Sequence, residues 1–222
     1  MPITVTLYKN NVAYNGGLHD SLMLQCMLIF MDNTVGSLSQ VQRSVVLGSL
    51  LGDGYLRILK GRNNAFLEIN HAYSQKEYVD WKYSLPKSIV KSPPKRRINN
   101  GKRVAYRFFT RQNEVLTELH KQFYVQNTKI IPHIVLDPLS LAIWYMDDGS
   151  QCRASDVYLN SQHFDLESQM NLLGALEKLG LQARLNKDKK YYRIRFLKSS
   201  LIHLKNLVRQ HIIPSMRYKL DL

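Results

Sequence analysis

The sequence predicts an α+β protein made of two pseudo-symmetric αββαββα units, each with a saddle-shaped antiparallel sheet, packed together through two apolar helices. Three observations lead there. Two apolar runs, Val46–Gly54 and Leu141–Gly149, each read as a helix that stops at an Asp-Gly pair. After each run the period-two and period-3.6 stretches come in the same order. Both halves also carry Ile-Ile-Pro near their ends, at Ile130–Pro132 and Ile212–Pro214. The chain therefore divides into an N-terminal extension at 1–36, a first unit at 37–133 and a second at 134–222.

Within the extension, Leu22–Met31 is apolar but far short of the ~20 residues of a membrane span. No basic region precedes it as in a secretory signal, and Met1–Gly36 lacks the Arg and Ser of a transit peptide. It reads as a peripheral helix, a disordered arm or sequence read through from an upstream exon, with the folded part starting near Ser37. Ser39 is the expected N-cap of the first helix, Leu47, Leu50 and Leu51 share a stripe, and Gly54 is expected to supply a left-handed turn. Gly48 and Gly52, four apart, would let another backbone come close on one face.

Tyr55–Lys60 and Ala65–His71 read as strands around a Gly61–Asn64 turn, and Ser74–Leu85 as a helix with Tyr78, Trp81, Lys82 and Leu85 at helical spacing. Arg96–Ile98 and Val104–Thr110 form a second hairpin, followed by a helix at Glu114–Phe123 and a loop at Val125–Pro132. In the second unit Pro138 opens the helix that contains Leu141, Trp144 and Tyr145. A strand Asp156–Gln162, a helix Leu166–Leu179, strands Gln182–Asn186 and Tyr191–Leu197, and a helix Ser199–His211 follow.

A formal net charge of +14 points to a polyanionic partner, nucleic acid before membrane. The strands alternate apolar with basic residues, so each sheet has a core face and a cationic face. A β-ribbon of that kind fits the major groove of DNA, whereas the deep groove of A-form RNA excludes it. Candidate DNA contacts are Tyr55, Arg57, Arg62, Lys95, Arg96, Arg97, Arg103, Arg107, Arg111, Arg153, Arg184, Lys187, Lys189, Lys190, Arg193 and Arg195. Cys26 and Cys152 are isolated and suit a reducing compartment, and the seven histidines show no ligand spacing. Asp53 and Asp148 sit where a helix dipole and a second acid both disfavour their charge, so a cation is the natural remedy. Hard oxygen ligands beside phosphate suit Mg²⁺.

The two runs resemble the motifs of the LAGLIDADG homing endonucleases, in the monomeric branch that carries both motifs in one chain, and the likeness extends through most of residues 37–220. The second copy departs at Ile143 and Asp147, where the family prefers small residues. The resemblance places the metal-binding acids at Asp53 and Asp148, with Gly52 and Asp147 beside them in the metal site; Asp147 is read as non-catalytic. It implies catalytic lysines at Lys129 and Lys219, and water-positioning residues at Asn70 and Asn186. It implies Mg²⁺ as cofactor, with Mn²⁺ substituting and Ca²⁺ binding without cleavage. The implied function is metal-dependent double-strand cleavage of a long asymmetric DNA target, leaving 3′ overhangs and promoting intron homing. The protein would act as a monomer encoded in an organelle genome. The alternatives are an intron RNA maturase on the same scaffold, or a DNA-binding regulator that does not cut.

Overall fold

A computed structural model describes residues 38–98, 104–153 and 155–220; the N-terminal extension, Arg103 and the Asn99–Gly101 turn lie outside the described residues. The elements are, in order, α1 (Gln40–Leu51), β1 (Tyr55–Arg57), β2 (Phe66–Ala72), α2 (Lys76–Ser84), β3 (Lys95–Ile98), β4 (Val104–Phe109), α3 (Glu114–Phe123), β5 (Tyr124–Val125), β6 (Thr128–Lys129), α4 (Pro138–Asp148), β7 (Gly149–Arg153), β8 (Asp156–Leu159), α5 (Leu166–Lys178), β9 (Ala183–Asp188), β10 (Tyr191–Phe196) and α6 (Leu201–Val208). A 3₁₀ turn at Pro214–Lys219 closes the chain's described part. The two main sheets are antiparallel, with orders β1-β2-β4-β3 and β7-β8-β10-β9, so α1–β4–α3 and α4–β10–α6 trace the same path. Among the described residues, no helix is long and apolar enough to cross a membrane.

Helices α1 and α4 pack directly on each other, and glycine sets how closely. A Cβ added at Gly48 would lie 2.5 Å from the carbonyl oxygen of Ser140 and 2.8 Å from Ile143 Cβ. The large Ile143 of the second motif thus fits because Gly48 of the first has no side chain. Gly48→Val is expected to force the helices apart and cost about 1–3 kcal/mol or more, read from the urea unfolding midpoint. Both helix starts are capped. Ser39 and Gln42 form a reciprocal capping box on α1, and Asp137 and Ser140 form one on α4. Asp137 also accepts from Ser44 and, at 2.8 Å, from Gln40 Nε2, which ties the two helix starts together. Trp144, Tyr145, Leu50 and Leu51 are fully buried around this contact.

Three expectations are corrected. Gly54 is not left-handed; the positive-φ glycines among the described residues are Gly61 and Gly180. Gly54 is instead required by proximity, because its N–H donates to Ser49 O at 2.7 Å and an added Cβ would meet Ser49 Cβ at 2.8 Å. Gly149 has φ −70° and ψ 145°, so it begins strand β7 directly, and β7 was missing from the sequence reading. The predicted loop at Val125–Pro132 contains the β5–β6 ribbon, turned by Gln126 and Asn127 at φ 49° and 64°.

Candidate active site and nucleic-acid interface

Residues directly opposite each other in an antiparallel pair share a face, and neighbours along a strand alternate. In the first sheet Leu56, Leu67, Ile69, His71, Tyr106 and Phe108 are buried on the core face. The register then places Tyr55, Arg57, Glu68, Asn70, Lys95, Arg97 and Arg107 together on the other. In the second sheet Tyr158, Arg184, Asn186, Arg193 and Arg195 share the corresponding face. Arg96 pairs with Tyr106 and Lys187 with Tyr192, so both project to the opposite side from the other cationic residues of their strands. Arg96 there stands 5.2 Å from the Tyr73 ring. Arg62 and Arg111 join Arg57, Arg97, Arg107 and Phe109 around a cleft of about 700 Å³ on the first sheet. Lys189 and Lys190 occupy the β9–β10 turn, and Arg153 the bulged end of β7.

These arginines are held by different partners in the two sheets. Glu68, 1% exposed, accepts from Arg57 Nη1 at 3.0 Å and from Arg107 Nη1 at 3.4 Å. Burial, with Glu68 as hydrogen-bond partner and neighbouring charge, pushes the Tyr55 hydroxyl up to about 12. Tyr158 holds the matching register position in the second sheet, where the Arg193 guanidinium stacks 3.9 Å from its ring.

At the C-terminal ends of α1 and α4 three aspartates converge. Asp53 is half-exposed, and its backbone N–H donates to Asp147 Oδ2 at 3.2 Å. His71, which the sequence reading assigned no role, lies with Nδ1 3.5 Å from Asp53 Oδ2 and Nε2 3.8 Å from Asp147 Oδ1. One ligand atom from each of Asp53, His71 and Asp147 lies within 4.8 Å of the others. Asp148 is pushed up to about 7, by burial first and then by the charges of Asp147 and Asp53, against the opposing pull of Lys219 and Lys129. This accumulation of carboxylates, with His71 Nε2 and Asn70 Oδ1 buried and without a hydrogen-bond partner among the described residues, fits a hard divalent cation. Asp147 is the exception, since both its oxygens lie 2.8 Å from Lys82 Nζ and its Oδ1 also accepts from Tyr78 Oη at 2.8 Å. Gly52 faces that carboxylate, and a Cβ there would meet Asp147 Oδ2 at 2.5 Å.

Two lysines flank the aspartates. Lys129 Nζ donates to Gly54 O at 3.1 Å, and burial lowers it to about 8 despite the three acids. Lys219 Nζ donates to Met146 O at 2.5 Å and Asp147 O at 2.9 Å, and burial lowers it too. Lys219 thus reaches carbonyls in the last turn of α4, and Lys129 the carbonyl of Gly54, just past the end of α1.

A family model described as the LAGLIDADG DNA endonuclease family matches residues 43–204. The chain belongs to this family. It is 31% identical over 201 residues to a probable intron-encoded endonuclease of Wickerhamomyces canadensis, covering 83% of this chain and 85% of that protein. A cytochrome b mRNA maturase bI2 of Debaryomyces hansenii is 29% identical over 189 residues, covering 79% and 72% respectively. The solved structure of the homing endonuclease I-WcaI bound to its DNA recognition sequence aligns with a TM-score of 0.74 at 26% identity, covering 94% of each chain.

The two-motif LAGLIDADG architecture lets the halves be compared position by position, and this changes one assignment. Tyr55 pairs with Glu68 and Ser150 with Tyr158, so the equivalent of Asn70 is Asn160. Asn160 Nδ2 donates to Asp148 O at 2.8 Å. Asn186 pairs with Arg193 on edge strand β9, in the register position of Lys95, and its amide donates to Lys187 O at 3.2 Å. A match of Asn186 to Asn70 follows from position on the hairpin alone, and the register overrides it. From the sequence, His71, Tyr78 and Lys82 receive no role at the site, although Tyr78 and Lys82 fall on the helical stripe. Lys82 left a signal, since a lysine on the apolar stripe of an amphipathic helix requires a buried acid.

Proposed function

We propose that this protein is a site-specific endonuclease that hydrolyses both strands of a long asymmetric DNA duplex and promotes intron homing. One observation carries the reading: paired carboxylates sit where the two motif helices end, between two sheets whose solvent faces carry aligned arginines. The likeness to a homing endonuclease solved on its DNA recognition sequence supports it. The relative named as intron-encoded supports an intron origin.

Asp53 and Asp148, with the carbonyl groups of Gly52 and Asp147, are the groups proposed to hold Mg²⁺. Bound there, the ion supplies an acidified water and offsets charge on the phosphate oxygens. Lys129 and Lys219 stand ready to take a proton or to meet charge that develops on the phosphate. A lysine lowered to about 8 is half neutral near that pH, and only its neutral form accepts a proton. The cleavage rate of pre-bound DNA is therefore expected to climb as pH rises towards 8. Lys129→Met should flatten that climb and slow cleavage roughly 10²–10⁴-fold, measured as single-turnover rates across pH. Asn70 and Asn160 are the proposed positioners of water. A monomer suffices, because the two halves present different faces to different half-sites.

Base reading falls to the arginines, with Lys95, Arg184 and the turn lysines holding phosphates. Glu68→Gln would loosen Arg57 and Arg107 together. The expected result is relaxed base choice at two neighbouring positions of one half-site, each by roughly 1–3 kcal/mol, read by selection from a randomised target library. Likeness at similar coverage to a protein named as a maturase favours one second reading, an intron splicing cofactor on the same scaffold. Incubating the protein with intronless and intron-containing DNA, with Mg²⁺ or EDTA, separates the two. Metal-dependent cutting of only the intronless allele supports the endonuclease; RNA binding and splicing activity without cutting supports the maturase.

A further inference from the structure

The two halves of the active site are supported differently. Behind Asp53 stands a charged network. Lys82 and Asp147 are both 0% exposed and paired at 2.8 Å, Tyr78 donates to the same carboxylate, and Asp147 Oδ2 accepts the backbone N–H of Asp53. Among the described residues, no buried ion pair of this kind stands behind Asp148. The first-motif position equivalent to Asp147 is Gly52, which has no side chain. The register equivalent of His71 is Ser161, whose hydroxyl meets Gln169 at 3.3 Å inside the second core. Counting on through the following helices, which start at Lys76 and Leu166, places apolar Leu172, fully buried, where the first half has Lys82.

Burying an ion pair is costly, and an apolar pair of similar volume often packs at least as well. The second half shows that this fold builds the equivalent place without charge. What the pair adds is an acceptor, fixed from both sides, for the amide that carries Asp53.

We propose that Lys82 and Asp147 are positioning residues for Asp53, and that without them the protein becomes a strand-biased nicking enzyme. The proposal rests on the endonuclease reading. Lys82 orients the Asp147 carboxylate, the carboxylate holds the Asp53 main chain, and His71 packs against both. The Asp148 carboxylate feels the charge of Asp147, which both double variants below remove alike, but among the described residues its main chain is not held by that carboxylate as Asp53 is, so the strand served mainly by Asp53 suffers most.

Two double variants test it. Lys82→Met/Asp147→Ala removes both charges and the acceptor; Lys82→Met/Asp147→Asn removes the charges but keeps an oxygen for the Asp53 amide. The alanine pair is expected to melt near the wild type and bind target DNA in EDTA with unchanged affinity. In the metal-free protein its Asp53 amide should exchange with solvent about tenfold faster, the loss of one hydrogen bond. On a supercoiled target with Mg²⁺ it should accumulate nicked circles cut always in the same strand. The asparagine pair should restore both amide protection and linear product. Equal behaviour of the two variants, in exchange and in strand ratio, overturns the positioning role. A wild type that cuts no DNA overturns the endonuclease reading instead, and the exchange measurement still decides whether the pair holds Asp53.

Discussion

Asp148→Asn is expected to abolish cleavage and, in the same protein without metal, to raise the melting temperature. Burial together with the charges of Asp147 and Asp53 pushes the Asp148 carboxyl from its usual 3.8 up to about 7. Below pH 4 it is protonated folded and unfolded alike and contributes nothing. Between there and pH 7 the folded protein keeps a proton that the unfolded chain releases, so stability falls as pH rises. Above pH 7 the full penalty applies, on the order of 4 kcal/mol. Asparagine keeps the shape and removes that penalty. Thermal scans at pH 5 and pH 8 should show the variant's advantage growing with pH. Mg²⁺ should stabilise the wild type more than the variant, because a ligand that binds only the folded site shifts its melting. Cleavage should fall at least ~10³-fold with DNA binding retained. A wild type that gains stability between pH 5 and pH 8 relative to the variant would contradict this reading of the site.

Lys82→Met by itself should have the largest effect on stability, a loss of about 3–5 kcal/mol, because it leaves the buried Asp147 carboxylate uncompensated. Tyr78 remains as a donor but brings no charge. Lys82→Met/Asp147→Ala should recover most of the loss, since no unpaired charge remains. A double-mutant cycle by urea unfolding measures the coupling. Additive losses would mean that the two side chains act independently and that the pair is not a unit.

The motif helices were legible because an apolar run, a capping residue and an Asp-Gly stop are all local signals, and Gly48 and Gly52 announced the close contact. Basic residues alternating along the hairpins gave the cationic faces. What escaped depends on register. Asn186 was matched to Asn70 by strand order, whereas pairing assigns that place to Asn160. Arg96 and Lys187 were grouped with neighbours one residue away, and one residue along a strand is the other face. β7 was missed because Gly-Ser-Gln-Cys-Arg has no apolar alternation and its pairing is bulged. His71 follows from hairpin arithmetic. With Tyr55 opposite Glu68, the chain three residues further on returns beside the end of α1. Lys82 was seen on its helical stripe but had no partner until α2 was placed against α4.

The acids ending α1 and α4 are proposed to form one centre that cuts both strands of a duplex. The most direct test is to incubate the protein with a randomised DNA library and Mg²⁺ and to sequence both strands at every cut end. Ends are expected to cluster on one asymmetric target, with the two cuts offset across the minor groove to leave short 3′ overhangs, and none are expected in EDTA. Cuts confined to one strand, cuts without sequence preference, or cutting that survives Asp53→Asn and Asp148→Asn together would contradict the proposal.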